Sequence, residues 1–496
     1  MSDSTPLNQP QGWGDIDEVL NAPLKNVSPD ASWISVIGMW LTLPLNIIQG
    51  LFGGLCAFYY RAYAFMDCCC TIYDSVMKGR PCYMAWTWWR YMPATLVALI
   101  RHKKSRFALF RWEWEACGRG EYFWQGEGIW ATSHAKNSEI MRSQQERSES
   151  FACLRACVPD LFAEGLLIFL PTGGSGSEWA AVRAALHSMF LDQRLPNYGD
   201  RLRDLPKKIE EAWQSPTAAD LADKAVLQRM VCRCVFFMMF GVWISEEDAQ
   251  TLTGWRTAAS FFVLPRLVQR FLFNIGIGKV KTLRRKTVQI IEKHKLQQLF
   301  VDMNEKLPAA YRREQVVKLC DQIMYVIGFA GIGGTSAAVE STCGFLQLKT
   351  GEVPEDAVDF SKYPSTPDML AAYKRNPEKF IKEVCRLDPP VTSATSVLSQ
   401  DLEAEMGETG KVLSMPKGSL RQYALSLANR DPKVFDQPSL FDPTRGDLSK
   451  SLTWNGEFDG GEDNFPRLCP GRYLSMQVAR AIVDHASKAL QAGAGP

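Results

Sequence analysis

The sequence has almost no net charge and little histidine, and its cysteines follow no regular spacing. Its 496 residues carry 56 Lys and Arg against 54 Asp and Glu, which leaves a net charge of +2. This balance gives no electric field suited to nucleic acid, so we expect no nucleic-acid partner. The 14 cysteines form neither a secreted disulfide pattern nor paired C-x-x-C motifs, and the 5 histidines contain no H-E-x-x-H motif. These patterns give no zinc site, and the cysteine usage predicts a reducing compartment.

Charged side chains are absent from Trp33 to Tyr60. This stretch exceeds the ~20 residues that a helix needs to cross a bilayer, and it predicts a membrane-associated region at 33–106. The polar residues 1–32 before it lack the pattern of a cleaved secretory signal. A second apolar block, Met84–Ile100, is interrupted by a charge and a proline. The alternative is therefore that one or both blocks lie in the membrane interface without crossing it.

Basic residues follow both apolar blocks. Arg61, Lys78 and Arg80 follow the first block, and a cluster from Arg101 to Arg106 follows the second. Because basic residues concentrate on the cytoplasmic side of membrane proteins, we expect a membrane-associated protein whose catalytic part faces the cytoplasm.

Residues 107–496 have the pattern of a globular domain. Apolar residues recur three and four apart over long stretches, as in helices with one buried face. These stretches are Trp179–Leu195, Ala218–Phe240, Lys281–Asn304 and Arg312–Leu348. Strand-like stretches are short and few, so we predict a mainly α domain with small β-sheets.

The most informative motif is Asn464–Arg472, which reads N-F-P-R-L-C-P-G-R and precedes an amphipathic run from Tyr473 to Leu490. A cysteine at the start of a helix lies near backbone N–H groups and the positive end of the helix dipole, which stabilise a thiolate. Haem iron accepts such a thiolate as its ligand. Gly471 allows the backbone to pass close to a flat ring. Cys469 is therefore the candidate metal ligand.

Three further stretches precede this motif. Glu383 and Arg386 are three residues apart, so they share one helix face. Trp179 and Arg183 are four residues apart and could both point at one buried anion. The third stretch is A-N-R-D-P-K-V-F at 428–435, followed by L-F-D-P-T-R at 440–445.

Together the four stretches resemble the cytochrome P450 superfamily over residues 107 to 490. The resemblance implies the cytochrome P450 fold and haem b (iron protoporphyrin IX) as the cofactor. It also implies that Cys469 is the thiolate ligand of the iron, and that Glu383, Arg386 and Arg445 form a buried charge triad. The residues expected to bind the cofactor are Trp179, Arg183, Phe465, Arg467 and Gly471.

The cysteine loop (residues 462–471) departs from the usual pattern of the family. That pattern has Phe seven residues and Gly four residues before the ligand, where this chain has Glu462 and Phe465. The Cys-x-Gly sequence and Arg467 are present, so the thiolate assignment stands. The surroundings of the sulfur are expected to differ, and the redox potential cannot be taken over from the family.

The opposite, distal side of the haem is expected on the helix around Gly328–Ser336. Monooxygenases of the family usually carry A-G-x-D/E-T there, because dioxygen activation needs protons. This helix has no acid at that place. One alignment puts Gly333 and Gly334 at the acid and threonine positions, and a shift by one residue puts Gly334 and Thr335 there.

The same helix is similar to that of allene oxide synthases and hydroperoxide lyases, which reads F-N-x-F/W-G-G. Phe329–Gly334 reads F-A-G-I-G-G, with Ala330 in place of the asparagine, and residues 386–391 and 452–457 add to the similarity. Such enzymes need neither reductase nor dioxygen, because their substrate already contains the O–O bond. We therefore predict an enzyme that rearranges or cleaves a fatty-acid hydroperoxide. Its expected catalytic residues are Phe329, Ala330, Gly331, Gly333, Gly334 and Thr335.

Two other functions are compatible with the sequence. The first is a reductase-dependent monooxygenase that takes protons through Thr335 or Ser336 and ordered water, and this enzyme would need a redox partner. The second is a helical, membrane-anchored scaffold protein without haem, in which the ordered motifs would be accidental. The expected partners are a hydrophobic small molecule, here a lipid hydroperoxide, and a membrane surface.

Overall fold

The computed structural model describes residues 9–21, 111, 121–125, 128–142, 176–260, 273–348, 358–391, 395–397, 401–406, 411–415 and 420–493. This part of the chain is mainly helical and contains two small sheets, as the sequence predicts. The hydrophobic region predicted at 33–106 lies outside it. Within the ranges given, no helix is both long enough and apolar enough to cross a membrane.

The helices occur in all parts of the described chain. The α-helices are α1 (Ile16–Asn21), α2 (His134–Arg142), α3 (Glu178–Leu186), α4 (Tyr198–Ala212), α5 (Ala218–Ala222), α6 (Lys224–Phe240), α7 (Glu246–Ser260), α8 (Phe273–Lys293), α9 (Gln297–Lys306), α10 (Val316–Val326), α11 (Ile332–Phe345), α12 (Thr366–Arg375), α13 (Pro377–Leu387), α14 (Leu425–Ala428) and α15 (Arg472–Gly493). Two π-helical segments, His187–Leu191 and Ile327–Gly331, continue α3 and join α10 to α11.

The strands form one mixed sheet and one hairpin. The strands are β1 (Tyr122–Gln125), β2 (Gly128–Ala131), β3 (Thr395–Val397), β4 (Leu402–Met406), β5 (Lys411–Met415) and β6 (Leu420–Tyr423). The first sheet has the order β1-β2-β6-β3, in which β2 and β6 are parallel and the other pairs antiparallel. The antiparallel pair β4-β5 forms the second sheet.

Helix α6 lies at the centre of the helical part. Every residue from Cys234 to Phe240 is buried, as expected for a helix with neighbours on all sides. Asp223 caps the start of α6 by accepting a hydrogen bond from the N–H of Ala225, and Gly241 ends it with a left-handed φ of 74°. Helices α4, α7, α11 and α15 pack around α6.

The predicted long helices are correct in place but not in continuity. Lys295, with a φ of 56°, divides the predicted helix Lys281–Asn304 into α8 and α9. Asp223 divides the predicted helix Ala218–Phe240, because its side chain caps α6. The apolar periodicity continues across both breaks, so periodicity alone does not reveal them.

The N-terminal segment at residues 9–21 packs on the helical domain, although its composition is polar. Trp13 is 1% exposed, and its indole N–H donates a hydrogen bond of 2.9 Å to Glu292 on α8. The backbone oxygen of Trp13 accepts a 2.7 Å hydrogen bond from the N–H of Val317 on α10. Residues 9–21, although mostly polar, are thus attached to the helical domain through one buried tryptophan.

Candidate active site

Helix α13 carries a buried ionic cluster. Glu383 and Arg386 are both 0% exposed and share two hydrogen bonds of 2.7 and 2.8 Å. Arg445 reaches the same carboxylate with its Nε at 3.2 Å. The three side chains expected to form a triad therefore lie together. Because they are buried and paired, loss of one member leaves charge uncompensated inside the protein.

The side chain of Arg386 also binds the backbone of the segment 429–440. Its Nη1 donates to the carbonyl oxygens of Asn429 and Pro438, both at 2.8 Å, and its Nη2 donates to that of Leu440 at 3.3 Å. One guanidinium group thus supplies donors to three backbone carbonyls, of which that of Leu440 also accepts a hydrogen bond from Nη2 of Arg445.

A chain of hydrogen bonds connects this cluster to Cys469. The amide of Asn429 donates to the hydroxyl of Thr453 at 3.1 Å, and that hydroxyl donates to the carbonyl of Cys385 on α13 at 2.9 Å. The next residue, Trp454, accepts a 2.9 Å hydrogen bond from the backbone N–H of Cys469. The position of the cysteine is therefore fixed by α13 through short contacts.

Cys469 lies in the turn before α15. As a residue it is half-buried, whereas the other cysteines of the described residues are fully buried, but its sulfur is covered by protein. Burial of the sulfur raises the pKa of the Cys469 thiol, whereas a hydrogen bond from the backbone N–H of Gly471 and the charges of Arg183 and Arg472 lower it. Burial is the largest of these effects, so the pKa of the free thiol is raised, and a thiolate here would need the charge of a bound metal ion to stabilise it.

Phe465 is packed inside the cysteine loop. Its ring is 1% exposed, and the guanidinium group of Arg142 lies 5.2 Å from the ring centroid. A Cβ at Gly456, where φ is 147°, would approach Phe465 to 2.6 Å. The glycine therefore makes room for the phenylalanine that departs from the family pattern. The expected contact of Phe465 with a cofactor stays a prediction, since protein atoms cover the ring.

Three side chains expected to hold an anion meet beside this loop. The guanidinium groups of Arg183 and Arg467 lie 5.2 and 4.8 Å from the ring of Trp179. Nη2 of Arg183 donates to the carbonyl of Leu468 and, at 3.0 Å, to Glu462. The other two nitrogens of the Arg183 guanidinium group, Nε and Nη1, form no hydrogen bond with any described residue. The indole N–H of Trp179 forms none with these residues either. These donors can serve an anionic ligand.

The expected distal residues lie between α10 and α11. Ile327–Gly331 forms a π-helical turn, in which the N–H of Ile332 bonds to the carbonyl of Ile327. Single π-turns inside α-helices are frequent at functional sites. Phe329 belongs to this turn, but its side chain lies outside the described atoms.

One face of this helix is open. Ala330 and Gly331 are exposed although they lie in mid-helix, whereas the adjacent Ile332 is 3% exposed. A Cβ added at Gly331, Gly333 or Gly334 would meet no atom of the described residues within 4 Å, apart from the backbone of its own helix. The glycines therefore border open space instead of a tight helix contact.

The two alcohols of the helix are bonded to the protein. Thr335 is 3% exposed and donates a 3.0 Å hydrogen bond to the hydroxyl of Ser475 on α15. Ser336 is 3% exposed and donates to the carbonyl of Ile332 at 2.6 Å. Neither alcohol lies on the exposed face with Ala330.

Curated relatives match a large part of this chain. Cytochrome P450 120 of Synechocystis sp. is 29% identical over 56% of this chain and 62% of its own length, so less than two thirds of that relative is covered. Beta-amyrin 28-monooxygenase of Panax ginseng is 23% identical over 63% of this chain and 67% of its own length. Chloroplastic allene oxide synthase 2 of Solanum lycopersicum is 29% identical over 23% of this chain and 24% of its length. No protein-family model matches the chain.

Solved structures show the same fold. P450BioI in complex with acyl carrier protein ligated to hexadec-9Z-enoic acid superposes with a TM-score of 0.52 at 15% identity, over 78% of this chain and 90% of that one. Epothilone D-bound P450epoK gives 0.52 at 17% identity, over 75% and 86%. The chain belongs to the cytochrome P450 superfamily.

Haem b is the cofactor of a cytochrome P450, and the residues of this one fit it. The donors of Arg183 and Trp179 suit the carboxylates of the ring, which are propionates. A Cβ at Gly471 would meet no atom of the described part of the chain within 4 Å, so the backbone beside Cys469 can lie against a flat group. Open space next to glycines on the distal helix suits the other face.

Sequence reasoning missed two contacts of this cytochrome P450. The first is the ion pair between Glu462 and Arg183, for which the only signal was a carboxylate at a position where the family has Phe. The second is the bond between Thr335 and Ser475, which joins segments 140 residues apart and leaves no local pattern.

Proposed function

We propose that this cytochrome P450 rearranges or cleaves a fatty-acid hydroperoxide without reductase or dioxygen. The observation that carries the proposal is the open face of the distal helix. From Ile327 to Val339 no side chain is ionisable, and the residues on the open face are alanine and glycine. A hydroperoxide already contains its O–O bond, so the enzyme does not have to deliver protons to dioxygen. A helix face without ionisable groups therefore suits this substrate.

The proposed roles follow from the positions of the side chains. Cys469 is the proposed iron ligand, and Arg183, Arg467 and Trp179 are proposed to hold the carboxylates of the haem. The bound haem supplies an iron that can cleave an O–O bond. Ala330 and Gly331 leave room for the peroxide and its chain, and they offer no polar group that would divert a reactive substrate.

The reaction balances without a further reactant. An isomerase keeps all atoms of the hydroperoxide, a lyase divides them between fragments, and an allene oxide synthase releases one water. None of these outcomes consumes electrons from outside. Ala330 replaces the asparagine found in relatives of this branch, so the product is best identified by mass spectrometry.

The test is to mix the purified haem protein with linoleic acid hydroperoxide, without reductase or nicotinamide cofactor, and to follow the loss of conjugated-diene absorbance. We expect turnover that Cys469→Ser abolishes. Cys234→Ala is the matched control, because Cys234 is fully buried in α6, away from the cysteine loop. An intact haem spectrum without turnover would contradict the proposal.

The second candidate is a reductase-dependent monooxygenase that acts on a hydrophobic substrate. It is supported by the name of the Panax ginseng relative and by the presence of Thr335 one turn from Gly331. In this case substrate oxidation requires dioxygen, a reductase and a nicotinamide cofactor. Replacement of Thr335 by Val would then lower product yield per electron consumed.

A further inference from the structure

Glu462 distinguishes the cysteine loop from the family pattern. Its carboxylate accepts a 3.0 Å hydrogen bond from Nη2 of Arg183, and the two side chains are 51% and 10% exposed. The same Nη2 donates to the carbonyl of Leu468, the residue before Cys469. Arg183 therefore joins the first residue of the loop to the residue that precedes the cysteine.

This ion pair affects any second anion that binds Arg183. A carboxylate at 3.0 Å already offsets the positive charge of the guanidinium group, so a haem carboxylate on the remaining donors gains less attraction. We propose that Glu462 is a positioning residue that orients Arg183 while weakening its hold on the haem, and that its charge favours the oxidised iron. The proposal rests on the assignment of Arg183 to a haem carboxylate and is independent of the substrate.

The variant Glu462→Gln separates the two effects, because Gln keeps an acceptor for Arg183 but removes the charge. We expect haem transfer from the protein to apomyoglobin to slow by about two- to five-fold, the range of a partly exposed ion pair. We also expect a more positive reduction potential. The difference in transfer rate should narrow at high salt, because salt screens exposed charges.

Asp463→Asn is the matched control. Asp463 is exposed in the same loop and forms no ion pair with any described residue, so its variant changes net charge equally without touching Arg183. Equal effects of both variants would overturn the proposal, as would faster haem loss from Glu462→Gln. The assay uses no substrate, so its outcome is separate from that of the hydroperoxide test.

A second inference rests on the N-terminal segment. Three residues of α1, Ile16, Val19 and Leu20, are buried, and α1 packs on α8 and α10. Asp17 pairs with Arg285 on α8 at 2.6 Å. Together with Trp13, these contacts attach residues 9–21 directly to the catalytic domain.

This attachment restricts membrane topology. A bilayer core is ~30 Å thick, so residues in direct contact cannot lie on opposite sides of it. We infer that residues 9–21 and the active site lie on the same side of any bilayer that the chain contacts.

Protease protection of epitope tags tests this inference. One tag is placed at the N-terminus and a second at the C-terminus, which follows α15 of the catalytic domain, and the membrane-bound fraction of expressing cells is digested without detergent. We expect both tags to share one fate. Protection of one tag and digestion of the other would overturn the inference.

Discussion

The cysteine side of this cytochrome P450 and its distal helix use polar groups in opposite ways. On the cysteine side, Glu383 and Arg386 are buried, and the side chain of Arg445 beside them is only 6% exposed. Their charges are satisfied by one another and by backbone carbonyls. The distal helix has no ionisable group from Ile327 to Val339 and presents alanine and glycine to open space.

This difference indicates that the cysteine side stabilises the structure, whereas the distal helix contacts the substrate. Buried charges fix one arrangement of the chain, because any other arrangement leaves charge or carbonyl groups unpaired. A glycine-rich helix face imposes little on a ligand except its size. Substitutions on the cysteine side should therefore lower stability and haem retention. Substitutions on the distal helix should change substrate binding.

The largest expected effect comes from Arg386→Met. The variant leaves Glu383 less compensated and removes donors from three carbonyls, so we expect a loss of about 3–5 kcal/mol in the free energy of unfolding. The measurement is urea denaturation followed by tryptophan fluorescence and haem absorbance.

Arg194→Met provides the comparison for Arg386→Met. Arg194 also pairs with an acid, but its side chain is 87% exposed, so its loss should leave the free energy of unfolding almost unchanged. If both variants unfold at the same urea concentration, the buried cluster on α13 contributes no more to the free energy of unfolding than an exposed ion pair does.

The next largest effect is expected from Gly456→Ala. The new Cβ would approach Phe465 to 2.6 Å at a φ of 147°, so strain and overpacking should cost about 2–4 kcal/mol. Gly446→Ala is the control, because its Cβ would meet nothing within 4 Å. A normal unfolding midpoint and normal haem content for Gly456→Ala would contradict this packing of the cysteine loop.

The cysteine side was also the part that sequence predicted best. The acid–base pair on α13 and the Trp179/Arg183 pair are short patterns on single helices, so spacing alone places them on one face. The burial of Phe465 was harder to predict from the sequence, because it depends on Gly456, which has a left-handed φ nine residues earlier. The attachment of Trp13 to Glu292 joins segments 279 residues apart, and no local pattern encodes such a contact.

A smaller effect is expected from Thr335→Val, which tests whether the alcohol is structural or chemical. Loss of its 3.0 Å bond to Ser475 should cost about 0.5–1.5 kcal/mol. Ser475→Ala should cost a similar amount, and the double variant should cost less than the sum of both. Hydroperoxide turnover should survive all three changes, and a loss specific to Thr335→Val would favour the monooxygenase instead.

The smallest effect on stability, of opposite sign, is expected from Gly334→Ala. This residue lies inside α11, and its Cβ would meet nothing within 4 Å, so alanine should raise the free energy of unfolding by about 0.5–1 kcal/mol through helix propensity. Gly278→Ala in α8 has the same open surroundings and should give the same gain. Only the change at Gly334 should raise KM for the hydroperoxide, because only there does the methyl group occupy proposed substrate space. An equal KM in the two variants would place the substrate away from the distal glycines.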